Sequence, residues 1–112
     1  ISRDFVQKRF ELRSVIATMY YVYILKSLKD KRTYVGYASD VYKRLKEHNI
    51  GKVDATKNRR PFVILMVEEC ETLKIAKNRE LYWKSGGGRR KLKDFFIKGF
   101  PPAPLGRGEA RP

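Results

Sequence analysis

Two predicted helices in this sequence each carry a polar side chain where an apolar one is expected. In VYKRLKEHN, positions i, i+3, i+4 and i+7 are Val41, Arg44, Leu45 and His48, so a guanidinium and an imidazole share the inward stripe with two core residues. An unpaired buried arginine is expensive, so an arginine normally takes the solvated face. Arg44 and His48 instead point toward two short strands that carry Tyr23 and Tyr34. In the later helix, the stripe Leu73, Ala76, Glu80 and Trp83 has Glu80 as its one carboxylate. Phenols, a guanidinium, an imidazole and a lone carboxylate suit phosphate chemistry. Arginine meets two phosphate oxygens at once and stays charged, so Arg44 is the candidate for a reacting phosphate. A single carboxylate with open positions matches how Mg²⁺ (or Mn²⁺) is held, with waters and phosphate oxygens completing the shell, so Glu80 is the candidate metal ligand. A plainer alternative stands beside these: Glu80 as a satisfied core glutamate, with Arg44 as its ion-pair partner.

The elements that position these residues follow in order. A strand over Tyr20–Lys26 puts Tyr21, Tyr23 and Leu25 on one face and Tyr20, Val22 and Ile24 on the other. Lys29–Arg32 turns the chain, and Thr33–Tyr37 returns as the second strand of a hairpin. Ser39 or Asp40 caps the first helix, which ends near Asn49-Ile50-Gly51. The polar stretch GKVDATKNRR is a solvated connector or, in the sharper reading, a surface whose Lys52, Lys57, Arg59 and Arg60 face a nucleic acid backbone. A third strand, PFVILMVEE, starts at Pro61, and its apolar run predicts burial on both faces. The second helix spans about Thr72–Lys84, and Gly86–Gly88 are expected to end it in a flexible turn. A third helix follows with Leu92, Phe95 and Phe96 packing inward and Arg89, Arg90 and Lys91 outward, as further nucleic-acid-binding candidates. The expected fold is a small α/β domain, a three-stranded mainly antiparallel sheet flanked by helices in the order β-β-α-β-α-α.

Residues 19–100 form the expected domain. Residues 1–18 are expected to be an extension upstream of a natural start at Met19, and residues 101–112, rich in proline and glycine, a disordered tail. The 112 residues bound a single domain with a modest core. The formal charge is +14, and Met19–Phe100 alone holds 20 basic and 9 acidic residues, a net +11. An excess seated in the folded part favours a polyanionic partner, nucleic acid first. One cysteine, Cys70, excludes an internal disulfide and gives no metal-ligand spacing. The longest apolar run, Phe62–Val67, is too short to span a membrane. A cytoplasmic monomer is the expectation.

The pairing of Tyr21-Val22-Tyr23 with Tyr34-Val35-Gly36, followed by Arg44 and Glu80, resembles the GIY-YIG nuclease superfamily. It is most similar to the small free-standing bacterial members, which resemble the nuclease domain of the bacterial excinuclease. The resemblance covers roughly residues 19–98. Tyr21 stands where the motif has glycine, Val22 and Val35 replace the two isoleucines, and Tyr37 replaces the lysine that follows the YIG glycine in the excinuclease branch. The resemblance implies that Glu80 binds the divalent ion, that Tyr34 activates water, and that Tyr23 and Tyr37 hold the nucleophile or phosphate. His48 is the rival base, because imidazole titrates near neutrality unaided whereas a phenol has a pKa of ~10. The excinuclease branch has tyrosine at its position, which gives His48 an orienting or leaving-group role.

The expected function is therefore a divalent-metal-dependent endonuclease acting on DNA phosphodiester bonds, structure-selective and serving DNA repair or processing. The alternative from another class is a basic nucleic-acid-binding module without catalysis, which needs neither Glu80 nor Arg44. A protein-interaction adaptor would need an exposed apolar groove, and the sequence displays none.

Overall fold

β1 (Tyr20–Ser27) is the middle strand, and the other elements pack on it. The computed structural model describes residues 19–102. After β1 come β2 (Thr33–Ala38), α1 (Val41–Asn49), one 3₁₀ turn (Lys57–Arg59), β3 (Phe62–Cys70), α2 (Leu73–Lys84) and α3 (Gly86–Lys98). This is the expected β-β-α-β-α-α order. The sheet order is β2-β1-β3, with both pairings antiparallel. Tyr21 to Leu25 are all buried, because β1 has a strand on each side and covered faces above and below. Val22 and Ile24 join Val35, Met66, Ala76, Trp83 and Leu92 on one face, and Tyr21, Tyr23 and Leu25 join Val41 and Phe62 on the other.

The third strand packs on both faces as expected, Leu65, Met66 and Cys70 with the Val22 cluster and Phe62, Ile64 and Val67 with the Tyr23 cluster. β3 is an edge strand, paired only with β1, and its Val63 is 40 % exposed. The shorter, tyrosine-rich β1 takes the centre. A bulge opposite Ile24–Leu25 shifts the β3 register, which lets both Leu65 and Met66 pack with the Val22 face.

Local chemistry fixes the connections. The Ser27 hydroxyl accepts from the backbone N–H groups of Lys29 (3.1 Å) and Asp30 (3.0 Å) and donates to Arg59 O (2.6 Å), organising the expected turn. Asp40 caps α1 by accepting from Lys43 N at 3.0 Å.

The three glycines do not form a flexible turn. Ser85 ends α2 and also caps α3, and Gly86–Gly88 are the first turn of α3. A Cβ at Gly88 would lie 2.6 Å from Trp83 Cα, so glycine there lets the two helices meet closely. Two packing expectations also change: Leu73 lies at the exposed start of α2, and Phe96 is 49 % exposed with its ring edge-on to Phe100. Leu92 and Phe95 pack against the core as expected. The expectations for residues 1–18 and for most of 101–112 lie outside the described residues. No helix among the described residues is long and apolar enough to cross a membrane.

Candidate active site

His48 sits at the centre of the α1 face, fully buried, with both ring nitrogens engaged. Nδ1 is 2.7 Å from Thr56 Oγ1 and Nε2 is 3.0 Å from the Tyr23 hydroxyl. The Thr56 hydroxyl faces Val53 O at 3.4 Å, which leaves its lone pair for Nδ1–H. By this assignment Nε2 is the acceptor and Tyr23 donates to it. Burial, with the charge of Arg44 added, holds the imidazole below its usual pKa, so it is a neutral acceptor. Burial pushes the Tyr23 phenol up to about 12, against the lowering effect of Arg44 beside it.

Tyr23 faces Gly36 across the β1–β2 ladder, and its hydroxyl fills the space of a side chain there. A Cβ at Gly36 would lie 2.5 Å from it. The glycine of Tyr34-Val35-Gly36 therefore makes room for the tyrosine of the other strand. Tyr34 lies two residues away on the same face of β2, half-buried, with its ring edge-on to His48 and the ring centres 5.0 Å apart. Arg44 lies at the rim, 39 % exposed, and donates from Nη1 to Glu47 Oε1 at 2.9 Å, the contact that most raises its pKa. Glu80 comes from α2, in the layer on the other face of the sheet. Both α1 and α2 pack on β2, and the Glu80 charge is a minor influence on the Tyr23 phenol. The Glu80 side chain is 19 % exposed and is met by Lys84 Nζ at 3.3 Å. Arg44 and Glu80 thus each have a partner on their own helix and are not partners of one another.

Tyr23, Tyr34, Arg44 and His48 are brought together on the α1 face, while Glu80 stands in the α2 layer, near enough for its charge to act weakly on the Tyr23 phenol. Tyr37 does not join them: it lies on the opposite face of β2 and packs with the Val22–Trp83 cluster. Among the described residues no three of His, Cys, Asp or Glu gather as a metal cluster. Glu80 is a lone carboxylate, a donor set that fits a hard divalent ion keeping most of its waters and taking the rest of its ligands from a phosphate. His48, buried with both nitrogens taken, does not fit as a ligand. Cys70 is a buried free thiol whose pKa burial raises.

The basic candidates divide. Lys52, Lys57, Arg60, Arg89, Arg90 and Lys91 are exposed. Arg59 is not free to face a partner, because its Nε donates to Asp30 Oδ2 at 2.7 Å and its guanidinium lies over the Phe62 ring. That contact holds the Asp30 carboxyl far below the usual range. Three contributors escape sequence reasoning. Thr56 is hidden in a polar loop, although a hydroxyl eight residues beyond an inward histidine is an available signal. Glu47 reads as solvated surface of α1. Asn49 reads only as a helix end, yet its side-chain amide clamps the Phe62 backbone, accepting from N–H (2.7 Å) and donating to C=O (3.1 Å).

The family profile of the GIY-YIG catalytic domain matches residues 19–94. The UPF0213 protein YazA of Bacillus subtilis is 38 % identical over 80 residues, 70 % of this chain and 78 % of its own. A UPF0213 protein of Syntrophus aciditrophicus is 40 % identical over 74 residues, 64 % of this chain and 84 % of its own. A UPF0213 protein from Bacillus halodurans, solved by solution NMR, is 34 % identical over 72 % of this chain and 86 % of its own, with a TM-score of 0.44. The profile match begins just before β1 and runs into α3, taking in every element that carries the cluster, and the chain belongs to the GIY-YIG nuclease superfamily.

Proposed function

We propose that this domain is a divalent-metal-dependent endonuclease that hydrolyses DNA phosphodiester bonds. The observation that carries the reading is the gathering of Tyr34 and Arg44 around the buried Tyr23–His48–Thr56 chain, with the Glu80 charge acting on the same phenol, within a domain of net charge +11 between Met19 and Phe100. Arg44 holds the scissile phosphate and stabilises the charge that builds on its oxygens as the water oxygen bonds to phosphorus. Tyr34, on the half-exposed side of the cluster, orients the attacking water and, as the phenolate, takes its proton, while the phosphorus bond to the leaving oxygen breaks and that oxygen takes a proton from solvent. Tyr23 and His48 hold that face rigid from beneath. Full burial of His48 favours the orienting role over that of a base in contact with water. Glu80 would hold Mg²⁺ or Mn²⁺, which when bound supplies positive charge to the phosphate oxygens. Tyr37 would act only through the far face of β2.

The exposed cations lie on a turn, a loop and a helix end, where contacts go to phosphates and carry no sequence information. That supports structure-selective cutting of branched, nicked or single-stranded DNA, as in repair or processing. The test is incubation with plasmid, branched DNA and RNA, with and without Mg²⁺ or Mn²⁺. Metal-dependent cleavage of branched DNA is expected. Four to six phosphate contacts would give a log-log salt slope near about −4 to −5 on duplex. Binding with that slope but no cleavage under any metal would favour the non-catalytic module, and a flat salt response would sink both.

A further inference from the structure

Beside the cluster, the β1–β2 turn and the segment before β3 enclose an open cleft of about 390 Å³ lined by Lys29, Asn49, Lys57, Asn58, Arg60 and Pro61. We infer that this cleft is a phosphate site that seats the backbone of the nucleic-acid strand next to the scissile position. The inference rests on the nuclease reading above and adds to it where the strand lies.

Three observations point to that ligand. The first is charge: three cationic side chains converge and no carboxylate is in the lining. Lys29 Nζ donates to Asn58 O (3.0 Å) and Arg60 Nε to Lys57 O (2.7 Å), contacts that position the cations without neutralising them. Lys57 has only a 3.7 Å pairing with Asp54, whose side chain is 95 % exposed. The second is rigidity. Ser27 Oγ holds Arg59 O, Leu28 N holds Pro61 O at 2.8 Å, and Arg59 is clipped to Asp30, so turn and segment move as one wall. Arg60 in turn lies over Gly51, where a Cβ would come 2.8 Å from its Nη1 and the φ of +87° also favours glycine. The third is connection. Asn49 follows His48 directly, and Thr56, which bonds His48, directly precedes Lys57. The cleft and the cluster are thus two sides of the same pair of segments. A polar, open, cationic cleft suits a solvated phosphodiester strand better than a compact apolar ligand.

The experiment uses the full chain with Glu80→Gln added, so that substrate stays intact, and labelled branched DNA. Lys29→Ser/Lys57→Ser/Arg60→Ser is compared with Lys74→Ser/Lys77→Ser/Lys93→Ser, which removes the same charge from the outer faces of α2 and α3. The cleft variant should bind at least about tenfold more weakly than the control, with a salt slope shallower by ~1 to 2, since each phosphate neutralised contributes ~0.9. Lys57→Ser alone removes little structure and should show a smaller change of the same sign, which covers the case of an unstable triple variant. Equal affinity and slope in the cleft variant and the control would overturn the inference. So would chemical-shift changes in the cleft with inorganic phosphate but unchanged DNA affinity in the variant. If the parent cleaves DNA while cleft and control variants match, the cleft assignment alone falls. If the parent binds no nucleic acid, the nuclease reading falls with it.

Discussion

The two faces of the sheet use their arginines in opposite ways. On the α2 face, Arg79 meets both oxygens of Glu68 at 2.8 Å, Trp83 Nε1 adds a third bond at 3.1 Å, and the guanidinium lies over the Tyr82 and Trp83 rings. Burial alone would raise the Glu68 carboxyl, but these donors outweigh it and leave its pKa low. On the α1 face, Arg44 makes one ion pair, to Glu47 three residues along its own helix. Their exposures are nearly equal, 38 % for Arg79 and 39 % for Arg44. Exposure therefore does not separate a structural arginine from one available to substrate. Closure of the fork does: Arg79 closes on both oxygens of Glu68, whereas Arg44, bonded to Glu47 and to the Tyr23 phenol, keeps part of its fork open.

The largest expected effect tests that distinction. Arg44→Ala should lower single-turnover cleavage by at least about 10²-fold, the scale of losing one preorganised charge, with an unchanged melting temperature. Arg79→Ala should do the reverse, costing about 1–2 kcal/mol in urea unfolding while folded protein cleaves at the parent rate. Equal rate losses in both, without destabilisation, would erase the difference between the two faces.

Within the α1 face the two tyrosines should part in the same way. Tyr34→Phe removes a hydroxyl from a half-exposed ring and should cut the rate by ~10²–10⁴ with little change in stability. Tyr23→Phe strips the donor from buried His48 Nε2 and should cost ~1–3 kcal/mol, visible in unfolding curves. Thr56→Val instead removes the acceptor of His48 Nδ1–H, at a similar cost. Its distinguishing readout is ¹⁵N NMR of the imidazole, where the single tautomer held in the parent should give way to a mixture.

The smallest effect is a pH slope. The folded pKa of His48 lies below its ordinary value, so the unfolded chain takes up a proton at a pH where the folded protein stays neutral. The stability this gives is complete above about 6.5 and is lost as pH falls through the folded value. Melting temperature should decline from about pH 7 downward. Glu47 and Glu68, held low by their arginines, act only in the lower carboxylate window. In His48→Gln the decline near neutrality should vanish, and its persistence there would assign the titration elsewhere.

Much of the frame is legible in the sequence because it is written in periodicity. The i, i+3, i+4, i+7 stripes carry His48 inward, and strand alternation puts Tyr21, Tyr23 and Leu25 on one face. The central position of β1 is not legible, because strand order depends on which edges pair after the helices have packed. The role of Gly86–Gly88 is hidden for a related reason: a glycine run signals a turn unless a neighbouring helix needs the room, and Trp83 does. Ion-pair choice is the least legible. Arg59 and Arg79 have partners, Asp30 and Glu68, set by side-chain reach in three dimensions, whereas Arg44–Glu47 and Glu80–Lys84 follow helical spacing. Arg59, a surface cation by sequence, is bound to Asp30.

The central claim concerns Glu80, which keeps its size and loses its charge in Glu80→Gln. The decisive measurement is metal-dependent cleavage and equilibrium binding of branched DNA by this variant beside the parent, both with native-like melting transitions. Cleavage should collapse while affinity stays within a few-fold, because binding rests on phosphate contacts elsewhere. A Glu80→Gln protein that cleaves as fast as the parent in Mg²⁺ or Mn²⁺ would contradict the account.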